Sequence, residues 1–159
     1  MVSTDGDRKP RALLQSSFNE TGPTVSRDGR WLAYVSDESG RDEVYVVSLM
    51  SGLGARVARP VSTDGGTEPL WGPAGNEIFY RLGDRMMASS YRTAPAFQAD
   101  PPQRLFEGPY QKGRDSRPAY DTADGRRFLM VRTDDRNSSP TQFQVVLEWF
   151  AELRRRVPE

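Results

Sequence analysis

The chain has 159 residues, 36% of them hydrophobic, with 22 acidic and 22 basic side chains and a formal charge of zero. That length fits one domain able to bury about two-thirds of its unfolded surface, and the charge balance argues against a nucleic-acid or anionic-membrane surface, which carries a basic excess. It contains neither cysteine nor histidine, which removes disulfides, thiolate nucleophiles, histidine acid–base chemistry and the usual zinc ligands.

Residues 1–10, "MVSTDGDRKP", are polar and turn-rich and read as a flexible lead-in without the apolar core of a signal peptide. No apolar run reaches the length of a membrane span. The chain as given reads as cytoplasmic, and as extracytoplasmic if it is excised from a longer membrane-anchored protein. "RALLQSS" (11–17) is the first expected strand.

Three copies of one unit follow: "PTVSRDGRWLAYVSD" from Pro23, "PLWGPAGNEIFYRLG" from Pro69 and "PAYDTADGRRFLMVRT" from Pro118. Their turn glycines, Gly29, Gly75 and Gly125, are spaced by 46 and then 50 residues, a period that belongs to propeller blades and similar repeats. Proline suits the first residue of a strand because it donates nothing to a ladder. Val25, Trp71 or Tyr120 then anchors the core, and the glycine supplies the positive φ of a tight hairpin. The next strand alternates: Trp31, Ala33 and Val35 oppose Leu32 and Tyr34; Ile78 and Tyr80 oppose Phe79; Phe128 and Met130 oppose Leu129 and Val131. Both faces are apolar, as for a strand held between neighbouring sheets.

Third strands are expected at 43–49, 85–92 and 142–150, and fourth strands at 58–63 and 103–108. The fold class is therefore all-β, with propeller blades of four antiparallel strands, about three per chain. The organisation is an outer strand (11–17), a blade (18–63), a second blade (64–108), an incomplete blade (109–150) and a tail (151–159) that turns helical from about Trp149. The third blade lacks an outer strand and the N-terminus has one to spare. Two chains joined head to tail would thus close a six-bladed homodimeric ring; the rival is an excerpt of a longer propeller.

The proline, aromatic, Asp-Gly and alternating-strand pattern resembles the TolB-type propeller repeat, a relative of WD-type repeats, over about residues 11–150. The copies depart from it at Arg27, at Gly72-Pro73-Ala74-Gly75 and at Thr122-Ala123, which alters turn chemistry and leaves the strands intact. "STDGGTEPLW", "GRRFLMVR" and "VVLEWFAELRRRVP" are similar to the C-terminal propellers of large bacterial serine/threonine kinases, which implies a sensing or docking role. The chain has no glycine-rich phosphate loop, no catalytic-loop signature and no Asp-Phe-Gly, so it is not itself a kinase.

In a propeller the loops joining strand four to strand one, and strand two to strand three, share a face. Glu20, Glu68 and Arg117 fall just before innermost strands, where they could hold a peptide terminus or a charged ligand. The long polar link "GPYQKGRDSRP" (108–118) adds Tyr110, Arg114 and Asp115 as binding candidates. "SDESGRDE" (36–43) carries four carboxylates but lacks EF-hand spacing and reads as a solvated hairpin tip. The expected role is a non-catalytic module binding a protein or peptide, with no cofactor and no metal. The alternatives are a hydrolase-associated propeller, either a peptidase gating domain or a carboxylate glycosidase, and a small-ligand or glycan binder.

Overall fold

The computed structural model describes residues 9–10, 12–50 and 57–132. It is all-β, built of antiparallel sheets. The first sheet runs in the order β1 (Glu20–Val25), β2 (Trp31–Ser36), β3 (Glu43–Ser48) and β4 (Arg59–Pro60). The second comprises β5 (Thr67–Trp71), β6 (Glu77–Leu82), β7 (Arg85–Arg92), β8 (Gln98–Ala99) and β9 (Gln103–Glu107). The third is a two-stranded sheet, β10 (Tyr120–Thr122) with β11 (Phe128–Met130). The expected strand at 142–150, the helical tail and most of the lead-in lie outside the described residues.

Local chemistry sets the hairpins. Gly29, Gly75 and Gly125 adopt φ of 70°, 76° and 73°, the left-handed region that the turns require. Asp28 Oδ1 accepts from Ser26 Oγ (2.6 Å) and the Arg30 N–H (3.1 Å), and Asp124 Oδ1 accepts from the N–H groups of Arg126 and Arg127. These donors, the Arg127 N–H foremost, hold the Asp124 carboxyl down at about 2. The Asp-Gly turns are thus secured by their own side chains.

The prolines sit differently from expectation. Pro23 and Pro69 lie inside β1 and β5, where the pairing with β2 and β6 shifts register. The residue before each, Gly22 or Glu68, has φ of 57° or 58°. A bulge there absorbs the missing proline N–H without ending the strand.

Alternation assigns each face to a neighbour. Ala33, Val35, Val44 and Val46 pack with Trp71, Ile78, Tyr80 and Met87, joining the first and second sheets. Phe79, Met86 and Ala88 pack with Tyr120, Phe128 and Met130, joining the second and third. The second sheet thus has a rear face toward the first and a forward face toward the third, and the corresponding faces of the other two are named likewise. Tyr34 and Tyr80 are pushed up to about 12 and Tyr120 well above 10, in each case first by burial. A phenol whose folded value is raised contributes stability that is present below its unfolded value of about 10 and lost as the pH climbs toward the folded one. The urea midpoint should therefore fall between about pH 10 and 12, with tyrosinate absorbance for these three appearing only on unfolding; normal titration of all tyrosines in the folded protein would contradict this packing.

Several expectations are corrected. Residues 12–17 form no strand; Leu13 and Leu14 instead pack against Leu32, Tyr34, Tyr45 and Val47 on the rear face of the first sheet. In this chain the segment expected as an outer strand serves as a cover for that face. The fourth strand of the first sheet shrinks from 58–63 to Arg59–Pro60, because Pro60 brings no N–H to the ladder. In the second sheet the fourth strand is split: β8 and β9 pair with successive parts of the β7 edge, interrupted at Pro101-Pro102. Val25 is 54% exposed and anchors no core, and Leu129 (75%) and Val131 (48%) are exposed on the forward face of the third sheet.

Candidate functional site

The predicted loop face exists among the described residues, and polar contacts stitch it together. Asp37 accepts from the Asn19 N–H (2.9 Å) and side-chain amide (2.6 Å), tying the loop before β1 to the β2–β3 loop. Arg41 donates to the Thr63 carbonyl (2.6 Å), and the Gly66 N–H donates to the Asp42 carbonyl (2.8 Å). Lys112 Nζ lies 3.8 Å from Asp84, bringing the long link to the β6–β7 turn.

Glu43 is the first surprise on this face. Grouped by sequence with the solvated carboxylates, it is 3% exposed. Its Oε1 accepts from the Gly65 N–H (2.8 Å) and from Arg41 Nε (2.8 Å), and Ser62 Oγ donates to Oε2. It is a buried, fully engaged fastener that fixes the loop entering the second sheet, and the solvated-tip reading holds only for its exposed neighbours Glu38 and Asp42.

Of the six sequence-predicted site residues, the structure brings five to β1, β5 and the turn packed on them. Glu68, on β5, is 1% exposed. Its Oε2 accepts from the Ala119 N–H (2.9 Å), and its carbonyl accepts from the Tyr120 hydroxyl (2.7 Å). Arg114 and Asp115 lie in a single 3-10 turn, Arg114–Ser116, which packs on β1 and β5. Arg117 follows it, donating its N–H to the Arg114 carbonyl (3.0 Å). Arg114, Asp115 and Arg117 are exposed, and no ion pair or side-chain hydrogen bond engages them among the described residues. Glu20 begins β1, half-buried, and accepts from Ser16 Oγ. Tyr110 stands apart from them: its ring meets Phe106 edge-on at 6.0 Å, on the outer strand of the second sheet, and it bridges to Arg132. It packs between sheets and does not join the others.

Sequence reading missed Arg81. It occupies β6 on the forward face beside Phe79, the position that Val35 fills in the first sheet, and it is 1% exposed. Nη2 donates to the Gly83 carbonyl (3.1 Å), while among the described residues Nε and Nη1 have no partner, and Glu68 Oε1 has none either. Both charges act on the Tyr120 hydroxyl, Glu68 reinforcing the effect of burial and Arg81 opposing it. The extension of the alternation from Phe79 to residue 81 was the available signal: a charged residue on a face otherwise reserved for packing. An unpaired buried polar group costs about 1–3 kcal/mol, more when charged. Replacing Arg81 by methionine, similar in volume, takes the neighbouring positive charge from buried Glu68 and strands the Gly83 carbonyl. It should therefore lower the free energy of unfolding by about 1–3 kcal/mol in urea titration; a gain would mean that the unpaired guanidinium costs more than it returns.

The described residues contain no group of three or more His, Cys, Asp or Glu able to hold a metal, and no helix long and apolar enough to cross a membrane. A cleft of 390 Å³ between the outer strands β4 and β8 is lined by Arg59, Pro60 and residues 95–99, with Arg59 its one charged side chain.

No family model matches the chain, and no solved structure matches it. Among curated proteins it is similar to the Tol-Pal system protein TolB of Alkalilimnicola ehrlichii, with 41% identity over 58 residues. The match takes in 36% of this chain and 14% of that protein. Partial identity and antiparallel sheets of about four strands agree with each other, and the chain is TolB-like over part of its length.

Proposed function

We propose that this chain is a non-catalytic interaction module that presents the loop face at its innermost strands to a protein or peptide. One observation carries the reading: Arg114, Asp115 and Arg117 stand exposed and unengaged among the described residues, on a turn seated against β1 and β5. Charged groups held on a rigid scaffold, with their hydrogen-bonding capacity unspent, suit recognition by shape and polar complementarity. The TolB-like stretch supports a propeller-type scaffold, and the resemblance to kinase-linked propellers supports a docking or sensing role. The absence of histidine and cysteine from the sequence leaves the commonest acid–base and nucleophilic side chains out of reach.

A random dodecapeptide display library panned against the full chain tests this. Enriched peptides should bind in calorimetry, and the double substitution Arg114→Glu/Arg117→Glu should weaken binding by about ten-fold or more, as loss of charge-assisted contacts requires. Absence of enrichment, or peptides indifferent to the charge reversal, would refute the reading.

A further inference from the structure

Two kinds of irregularity converge on one spot. Among the described residues, the non-glycine positions with positive φ are Glu68 (58°), Asp115 (51°) and Ser116 (55°). Among the same residues, the buried side-chain atoms without a partner are Glu68 Oε1, Arg81 Nε and Arg81 Nη1. Left-handed backbone at bulky residues and unsatisfied buried charge are both unfavourable, and each tends to gather where a protein switches or binds.

The segment over this spot is hydrogen-bonded at its ends, while its middle turn rests on β1 and β5 by packing. Upstream, Tyr110 packs on Phe106, and the Gln111 N–H donates to the Val131 carbonyl (2.8 Å). Downstream, the Ala119 N–H and the Tyr120 hydroxyl bind Glu68. Between these anchors no side-chain hydrogen bond or ion pair holds residues 113–118 among the described residues. Their fit to β1 is by close backbone approach, a Cβ on Gly22 standing 2.3 Å from the Ser116 carbonyl oxygen, and the segment is itself tightly folded, a Cβ on Gly113 standing 1.6 Å from the Arg117 carbonyl oxygen.

We propose that residues 113–119 form a strap that closes over Glu68 and Arg81, with the Ala119 N–H on Glu68 as its latch, and that an extended peptide competes with the strap for this pair. Such a peptide brings a backbone N–H for Glu68 and a carbonyl for the free donors of Arg81, chemistry that the strap supplies only in part. The strap is thus an internal competitor that lowers the apparent affinity of the face until it lifts. This rests on the interaction reading above and adds its regulation.

The test needs no peptide, so the two ideas can fail separately. Hydrogen exchange on the full chain is compared between 113–120 and β6, and phenylglyoxal modification of Arg81 is compared with that of exposed Arg85 by peptide mapping. In the wild type the strap should exchange at least ~10-fold faster than β6, as a local opening does, with Arg81 reacting far more slowly than Arg85. Gly22→Ala, which meets the Ser116 carbonyl from β1, should prise the strap open, and Gly113→Ala, which meets the strap's own Arg117 carbonyl, should distort it. Each should raise the Arg81 rate by about ten-fold and leave Arg85 and β6 unchanged. A wild-type strap that exchanges together with β6 overturns the proposal. So does an Arg81 that stays unreactive in a variant whose strap exchanges faster. Should both variants loosen β6 as well, the wild-type comparison of strap with β6 decides alone. Peptides that fail to bind a protein whose strap opens would remove the interaction reading and leave the strap in place.

Discussion

Replacing Trp71 by alanine lowers the free energy of unfolding by about 3–5 kcal/mol, measured as a drop in urea midpoint by circular dichroism. The indole is the hinge pin between the first two sheets. It packs with Ile78 and Tyr80 against Ala33, Val35 and Val46, and it meets Tyr91 edge-on at 5.3 Å. Its N–H crosses the seam to the Thr24 carbonyl at 3.1 Å. Alanine removes the area, leaves a void, and strands that carbonyl. Phenylalanine keeps most of the area and loses only the hydrogen bond, so its cost is smaller, about 1–2 kcal/mol. An alanine variant within about 1 kcal/mol of wild type, well short of the usual cost of a buried tryptophan, would mean that the two sheets do not pack through this residue.

Glu43→Ala carries the second largest expected loss, about 2–4 kcal/mol. The carboxylate is the acceptor for the Gly65 N–H, the Ser62 hydroxyl and Arg41 Nε, and nothing else described takes over those donors. Arg41 is more than half exposed, so the ion pair itself contributes little. The loss arises chiefly from the buried N–H and hydroxyl and should therefore persist at high salt. Glu43→Gln, which keeps one acceptor, should lose about half as much. A salt-sensitive loss, or a glutamine variant that loses as much as the alanine variant, would reassign the role to surface charge.

What the sequence made legible was local chemistry. Gly29, Gly75 and Gly125 sit in hairpins because a positive φ is written into the residue, and Asp28 and Asp124 brace those turns through neighbouring N–H groups. The two-fold alternation likewise placed Ala33, Phe79 and Phe128 on the correct faces. What stayed hidden depends on partners distant in the chain. "RALLQSS" has strand-like composition, but the rear face of the first sheet needed a cover, and Leu13 and Leu14 supply it. Val25 shares an offset with Trp71, yet it points to solvent while the tryptophan closes a seam. Glu43 resembled the carboxylates around it, and only Ser62 and Gly65, some twenty positions later, bury it. At the site, the exposed charges of the link were readable as candidates, whereas Arg81 was not, since its burial depends on segments distant in the chain.

The forward-and-rear arrangement of faces has a consequence for how the molecule comes apart. Its described apolar residues fall into separate seams, one under Leu13 and Leu14, one around Trp71 and one around Phe79. Contacts of this kind couple only neighbours, so cooperativity is shared out along a row instead of being concentrated at a centre. Denaturant should peel such a chain seam by seam, with reporters beside Tyr45 and Phe128 melting at different concentrations.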